Sequence, residues 1–268
     1  MNPVAVSRGD SPVILAFPHT GTELDAETAA ALNAEGKTLR DTDWHIHRLY
    51  ADLLPGVTTV RALFHRYVID ANRDPSGDSL YPGMNTTGLC PTITFDDVAI
   101  YEVGREPDAA EIARRLETWH AVYHRQLSAE IERVREKHGV AILYDCHSIR
   151  SHIPFLFEGK LPDFNIGTNN GATCAPALET AVADICARAD NLTSVLNGRF
   201  KGGWTTRHYG RPEEGVHAIQ MELAQCTHLA SEELPFDYDP EKAAGLRVHL
   251  KTILETLHEL ALSGALAR

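Results

Sequence analysis

Two apolar runs in the chain each stop at a histidine: Pro12-Val13-Ile14-Leu15-Ala16-Phe17-Pro18 leads into His19, and Gly139-Val140-Ala141-Ile142-Leu143-Tyr144-Asp145-Cys146 leads into His147. A short run rich in Val, Ile and Leu that turns polar at its end reads as a buried strand opening into a loop. In an open α/β sheet that carboxyl edge is where ligands bind. Two imidazoles delivered there from different strands, with acids elsewhere in the chain, point to a catalytic divalent metal and to hydrolysis of a small amide.

The remaining pattern predicts alternating strands and helices. Asp25 to Asn33 reads as a short helix capped by Asp25, and Asp41 to about Leu53 as a second, with Ile46, Leu49, Tyr50 and Leu53 as its apolar stripe. Val57–Val60 and Arg66–Ile69 read as strands, and residues 75–95, dense in Gly, Pro, Asn, Ser and Thr, as a long loop of the kind that carries function or moves. Asp108 to His138 is a long amphipathic helix ended by Gly139 in the position that needs positive φ. Ala175–Ala189 and Pro240–Leu262 read as helices, Ser194–Leu196 and Val216–Leu223 as strands, and Gly198–Pro212 as loop. This order implies a three-layer α/β/α sandwich around a mixed, largely parallel sheet. No linker or internal repeat divides residues 1–268, so a single domain is expected.

Composition narrows the function. A formal charge of -12 argues against nucleic-acid and anionic-lipid partners, which need clustered Lys and Arg. Residues 1–10 lack an apolar signal core and no run of about 18 apolar residues occurs, so a soluble, cytoplasmic protein is expected. The five cysteines contain no CxxC pair, which indicates neither a disulfide framework nor a cysteine zinc cluster. Fourteen histidines add weight to a metal site, although most of them must be ordinary.

Several residues could carry the chemistry. His19 is either a loop histidine bonding a carbonyl or a metal ligand. Asp43 falls three residues before Ile46, on the apolar stripe of the expected helix, where a carboxylate needs a cation or donors to receive it. We assign the helix cap to Asp41 and the ligand role to Asp43; His47, four residues on, shares that face as a spare ligand or orienting partner. Asp145 and His147, two apart on a strand, leave the same face of the sheet, so the acid can orient an imidazole. Glu222, in Gln220-Met221-Glu222-Leu223, is an acid near the end of a buried strand and is the candidate general base. Arg73, Arg199 and Arg207 are the cationic candidates, suited to a dicarboxylate because guanidinium grips carboxylate in bidentate fashion.

The chain resembles the N-formylglutamate amidohydrolase family in Phe17-Pro18-His19-Thr20-Gly21, Arg40-Asp41-Thr42-Asp43-Trp44, Ala71-Asn72-Arg73-Asp74-Pro75, Asp145-Cys146-His147-Ser148, residues 165–171, residues 202–210 and Gln220-Met221-Glu222-Leu223, in order along the chain. The resemblance implies hydrolysis of N-formyl-L-glutamate to L-glutamate and formate, the last step of a histidine-degradation route. It also implies a divalent metal, zinc first and Co²⁺ or Mn²⁺ next, and a fold similar to that of zinc carboxypeptidases. Ligands His19, Asp43 and His147 and catalytic Glu222 follow from it. So does Asn72-Arg73 as a pair that receives a substrate carboxylate; we assign the second carboxylate to Arg207, with Asn169 and Asn170 as auxiliary contacts. The chain departs from the carboxypeptidase pattern in having Thr22 three residues after the first histidine, with Glu23 next, so Glu23 competes with Asp43 for the acidic-ligand role. The alternatives are a zinc deacylase or carboxypeptidase-like hydrolase of another N-acyl acidic amino acid, a metal-free binder of acidic ligands, or a cysteine hydrolase using Cys146. The last is disfavoured because Cys146 and His147 point to opposite faces of a strand.

Overall fold

The computed structural model describes residues 2–79 and 83–266. Its elements in chain order are β1 (Val4–Ser7), β2 (Val13–Phe17), α1 (Ala26–Ala31), α2 (Ile46–Leu49), β3 (Thr58–Ala62), α3 (Ala109–Arg115), α4 (Ala121–His138), β4 (Ala141–Ile149), β5 (Phe164–Gly167), α5 (Pro176–Ala187), β6 (Ser194–Leu196), α6 (Trp204–Tyr209), β7 (Val216–Ala224) and α7 (Pro240–Leu262). One seven-stranded sheet runs in the order β1-β3-β2-β4-β7-β5-β6. The four central strands, β3, β2, β4 and β7, are parallel; β1 is antiparallel to β3, β5 is antiparallel to β7, and β6 is parallel to β5.

Every residue of β2, β4 and β7 is buried, as strands covered on both faces must be. Val13, Leu15 and Phe17 pack towards α2, α5 and α7, whereas Ile14 and Ala16 pack towards α4 through Tyr123, Leu127, Ile131 and Val134. The expected three-layer α/β/α sandwich with a mixed sheet is therefore present. Among the described residues no helix is long and apolar enough to cross a membrane.

Local signals explain several boundaries. Asp25 caps α1 by accepting from Thr28 N, and Gly139, at φ 75°, ends α4 and donates to Arg135 O. The long helix is continuous from α3 to α4 through one π-helical turn at Leu116–His120.

Three expectations fail. The helix from Asp41 shrinks to the single turn of α2, because Asp43 N bonds His19 O at 3.0 Å and His45 sits in the left-handed region at φ 60°. Asp41 is consequently not a helix cap; its Oδ2 accepts from Tyr67 OH (2.8 Å) and Phe95 N (2.9 Å). Burial is the main reason its pKa rises to about 6. Arg66–Ile69 forms a turn rather than a strand, with Val68 N on His65 O and Asp70 N on Leu89 O. Strands β1 and β5 are too short to announce themselves by periodicity, and α6 lies inside the stretch expected to be loop.

Candidate metal centre

The register of β4 and β7 places His147 opposite Glu222 and Asp145 opposite Gln220. Alternation puts all four on the face that packs against α4 lower down, while Tyr144, Cys146, Ile219 and Met221 face the apolar layer under α5 and α7. Cys146 thus points away from His147, and its thiol contacts Tyr144 O at 3.5 Å. β2, next to β4, ends at Phe17 and delivers His19 to the same edge. Gly21, just beyond, is required there, since a Cβ would lie 2.3 Å from the carbonyl carbon of Leu63.

Three donors converge at that edge. His19 Nδ1 and His147 Nδ1 are 3.2 Å apart, and Asp43 Oδ2 lies 3.1 Å from the second and 3.7 Å from the first. All three residues are buried. Tetrahedral coordination with bonds of about 2.0–2.1 Å needs donor pairs about 3.3 Å apart, which these spacings bracket. The far side of each imidazole meets an acid: His19 Nε2 lies 2.7 Å from Asp70 Oδ1, and His147 Nε2 lies 3.1 Å from Asp145 Oδ1. An Nε2–H donated to a carboxylate leaves Nδ1 with its lone pair directed at the common centre, the arrangement that orients metal-binding histidines. Asn72 Nδ2 lies at the same 3.1 Å from His147 Nε2 and is the better-aligned contact, while Asp145 Oδ1 is at ion-pair distance; once Nδ1 is given to an ion, Nε2 carries the proton and the carboxylate is its acceptor. By donor type and spacing these residues fit a divalent ion such as zinc.

The electrostatics keep the acids charged. Burial works against ionisation of Asp43, yet Arg66, His147 and His19 outweigh it and hold its pKa below the usual carboxylate range. Asp70 is likewise held well below that range, where His19, Arg73 and Arg66 overcome burial. Burial opposes charge on His147, but Asp145 and Asp43 raise its pKa well above that of a free imidazole. Glu222 is the exception: burial, reinforced by Asp43 and Asp145 and opposed by His147 and Arg66, raises it to about 8. A carboxyl so placed is suited to exchanging a proton near neutral pH.

Glu222 opens into a cleft that also exposes His19, Asn72, Arg66, Arg73 and Arg199. Gln220 bridges its wall, donating to Glu222 Oε2 (3.2 Å) and accepting from Gly203 N (2.7 Å). Gly203 must lack a side chain, because a Cβ would fall 2.3 Å from Asn72 Nδ2. Asn72 Oδ1 accepts from Thr205 N (2.8 Å), and Thr206 Oγ1 donates to Asp145 Oδ2 (3.1 Å), so α6 braces both halves of the cluster.

Other expected site residues lie elsewhere. His47 faces a separate groove with Arg61 and Asp52 and orients no ligand; burial, with Arg61 adding, lowers its pKa to about 4. Glu23 stands outside the His19–Asp43–His147 cluster, and its backbone bridges Phe64 instead. Arg207 donates from Nε to Gly202 O (2.8 Å) and is not among the residues lining the cleft. Asn169 and Asn170 also lie off the cleft, in left-handed conformations (φ 49° and 56°) that turn the chain after β5. Their backbone amides bond Lys201 O and Asn197 Oδ1.

Two buried residues were not singled out beforehand. Arg66 donates to Asp43 Oδ1 (3.1 Å) and lies 4.9 Å from the centroid of the Phe95 ring. Asp70 is the partner of His19. Its sequence signal, an acid directly after apolar Val68-Ile69, is the same one that marked His19.

The sequence model of the N-formylglutamate amidohydrolase family matches residues 11–229. An N-formylglutamate deformylase of Pseudomonas aeruginosa is 47% identical over 256 residues, 95% of each chain, and one of Pseudomonas putida is 46% identical over 253 residues, 93% of each. Among solved structures, an N-formylglutamate amidohydrolase from Ralstonia eutropha JMP134 superposes with a TM-score of 0.81 at 25% identity, covering 98% of this chain and all of the other. A gene product of Agrobacterium tumefaciens shares the fold, with a TM-score of 0.70 at 19% identity over 96% of each chain. With the family model matching residues 11–229 and relatives 47% and 46% identical over nearly their full length, the chain belongs to the N-formylglutamate amidohydrolase family.

Proposed function

We propose that this chain hydrolyses N-formyl-L-glutamate to L-glutamate and formate, as the last step of a histidine-degradation route would require, using a divalent metal held by His19, Asp43 and His147. The observation that carries this reading is the opening of His19 and of a buried, protonatable Glu222 into one cleft, with Asp43 and His147 completing the donor cluster at its floor. When bound, the ion would supply Lewis-acid polarisation of the formyl carbonyl and lower the pKa of an adjacent water.

The chain's own residues account for the proton movements. In its ionised form Glu222 takes a proton from the attacking water at a carboxylate oxygen as the water adds to the formyl carbon. It then gives that proton to the amide nitrogen as the C–N bond breaks, releasing formate and the free amine. Arg66, anchored on Asp43 and backed by Phe95, presents positive charge where the carbonyl oxygen becomes negative. Arg73 receives a substrate carboxylate, its guanidinium fixed by Thr87 O, Thr86 Oγ1 and Thr87 Oγ1 at 3.0–3.3 Å.

The test is release of formate from N-formyl-L-glutamate by purified protein, beside acetate release from N-acetyl-L-glutamate and cleavage of a peptide ending in glutamate. Formate release far above the other two is expected. Equal or faster cleavage of either alternative would move the reading to a different acyl group.

A further inference from the structure

Resting on the reading of N-formyl-L-glutamate as substrate, we infer that Arg199 binds the side-chain carboxylate, beside Arg73, and that the segment Asn85–Thr87 sets the spacing between the two guanidinium groups.

Among the described residues, three arginines line the cleft: Arg66, Arg73 and Arg199. Arg66 sits at the floor, bonded to Asp43 with Asp70, Asp41 and Glu222 around it, and is the group assigned to the carbonyl oxygen rather than to a carboxylate. Arg73 and Arg199 sit on the cleft wall: Arg73 lies 3.9 Å from Asp70 Oδ2 and is bonded to Thr86 and Thr87. Arg199 donates from Nε to Leu156 O and from Nη2 to Asn85 O, both at 2.9 Å, and lies 5.3 Å from the Phe200 ring centroid. These contacts fix the direction of the guanidinium, and none of the three is with a carboxylate.

The same short segment supports both cations. Asn85 O receives Arg199, and its neighbours Thr86 and Thr87 receive Arg73. Asn85 Nδ2 in turn donates to Phe155 O (2.8 Å), one residue from the second anchor of Arg199. Two guanidinium groups joined through three residues on one cleft wall form a fixed pair of anion sites, which suits a substrate with two carboxylates and a small reacting group. Arg207, the other candidate for this contact, is turned to Gly202 O outside the cleft lining.

The experiment measures kcat/KM of metal-loaded protein for N-formyl-L-glutamate and for N-formyl-L-glutamine, which keeps the shape and removes the side-chain charge. Wild-type protein is expected to prefer the glutamate substrate. Arg199→Gln should lose about 10- to 100-fold on it, mainly through KM, while changing little on the glutamine substrate. Arg199→Lys should recover part of the loss, because the charge returns without the fork. An equal loss on both substrates would make Arg199 a loop clamp and overturn the inference. So would an unchanged preference, or the same substrate-selective loss in Arg207→Gln instead. Failure of the wild-type protein to release formate from N-formyl-L-glutamate would overturn the underlying reading.

Discussion

The candidate centre has two halves built by different means. One half stands on strands: Asp145 and His147 on β4, Gln220 and Glu222 on β7, aligned by backbone register and by alternation and braced by α6. The other half stands on turns: Asp43, Arg66, Asp70 and Asn72 occupy irregular backbone, and each is fixed by a long-range partner in His19, Asp43, His19 and Thr205 respectively. A strand positions a side chain through many shared backbone bonds, so removing one polar group leaves the frame intact. A turn positions it through a few individual contacts, so removing a charged one leaves a buried charge without its partner.

The strand half should therefore lose chemistry without losing structure. Glu222→Gln is expected to lower kcat by about 10²- to 10⁴-fold with metal content and melting temperature retained. Loss of bound metal in that variant, measured by elemental analysis, would make Glu222 a ligand rather than the base.

The turn half should lose structure first. Arg66→Met strips Asp43 and Asp70 of their shared cation and should cost about 3–5 kcal/mol in urea unfolding of metal-free protein. An unchanged unfolding midpoint would mean that Arg66 serves the substrate alone.

Acid should reach the same half. His228, fully buried with Nε2 3.0 Å from Trp44 O, supports the backbone beside Asp43, and burial lowers its pKa to about 4. The folded form binds the proton more weakly than the unfolded form, so this contribution is complete above about pH 6.5 and is lost as pH falls through about 4. It amounts to about 3 kcal/mol. Asp41, raised to about 6, works in the opposite direction between about pH 4 and 6 and partly offsets it. His228→Asn should flatten the fall in stability between pH 6.5 and 4, followed by unfolding midpoints; a slope identical to that of the wild type would remove His228 from the account.

The smallest effect is expected where an acid only orients an imidazole. Asp70→Asn should weaken metal binding by about 10- to 100-fold while the fold persists. Isothermal titration with Zn²⁺ measures it, and an unchanged affinity would reduce Asp70 to a counter-charge.

The same division governs what could be read from the sequence. Period-two alternation was enough to bring Asp145 with His147, and Gln220 with Glu222, to one face. The inward placement of Asp43 was reached through a helix that does not form: its backbone is taken up by His19 O, and the helical turn begins only at Ile46. That is why His47, placed by helical spacing, faces another groove. Arg66 and Asp70 carry no periodic signal, and choosing between Arg199 and Arg207 depended on which of the two the folded chain turns into the cleft, Arg207 lying in a short helix inside a stretch that reads as loop.

The most direct test follows formate release from N-formyl-L-glutamate by chelator-stripped protein as Zn²⁺, Co²⁺ or Mn²⁺ is added back. The account predicts negligible release from the stripped protein and recovery that saturates at about one ion per chain, the capacity of a single three-residue site. Full activity in stripped, metal-free protein would contradict it.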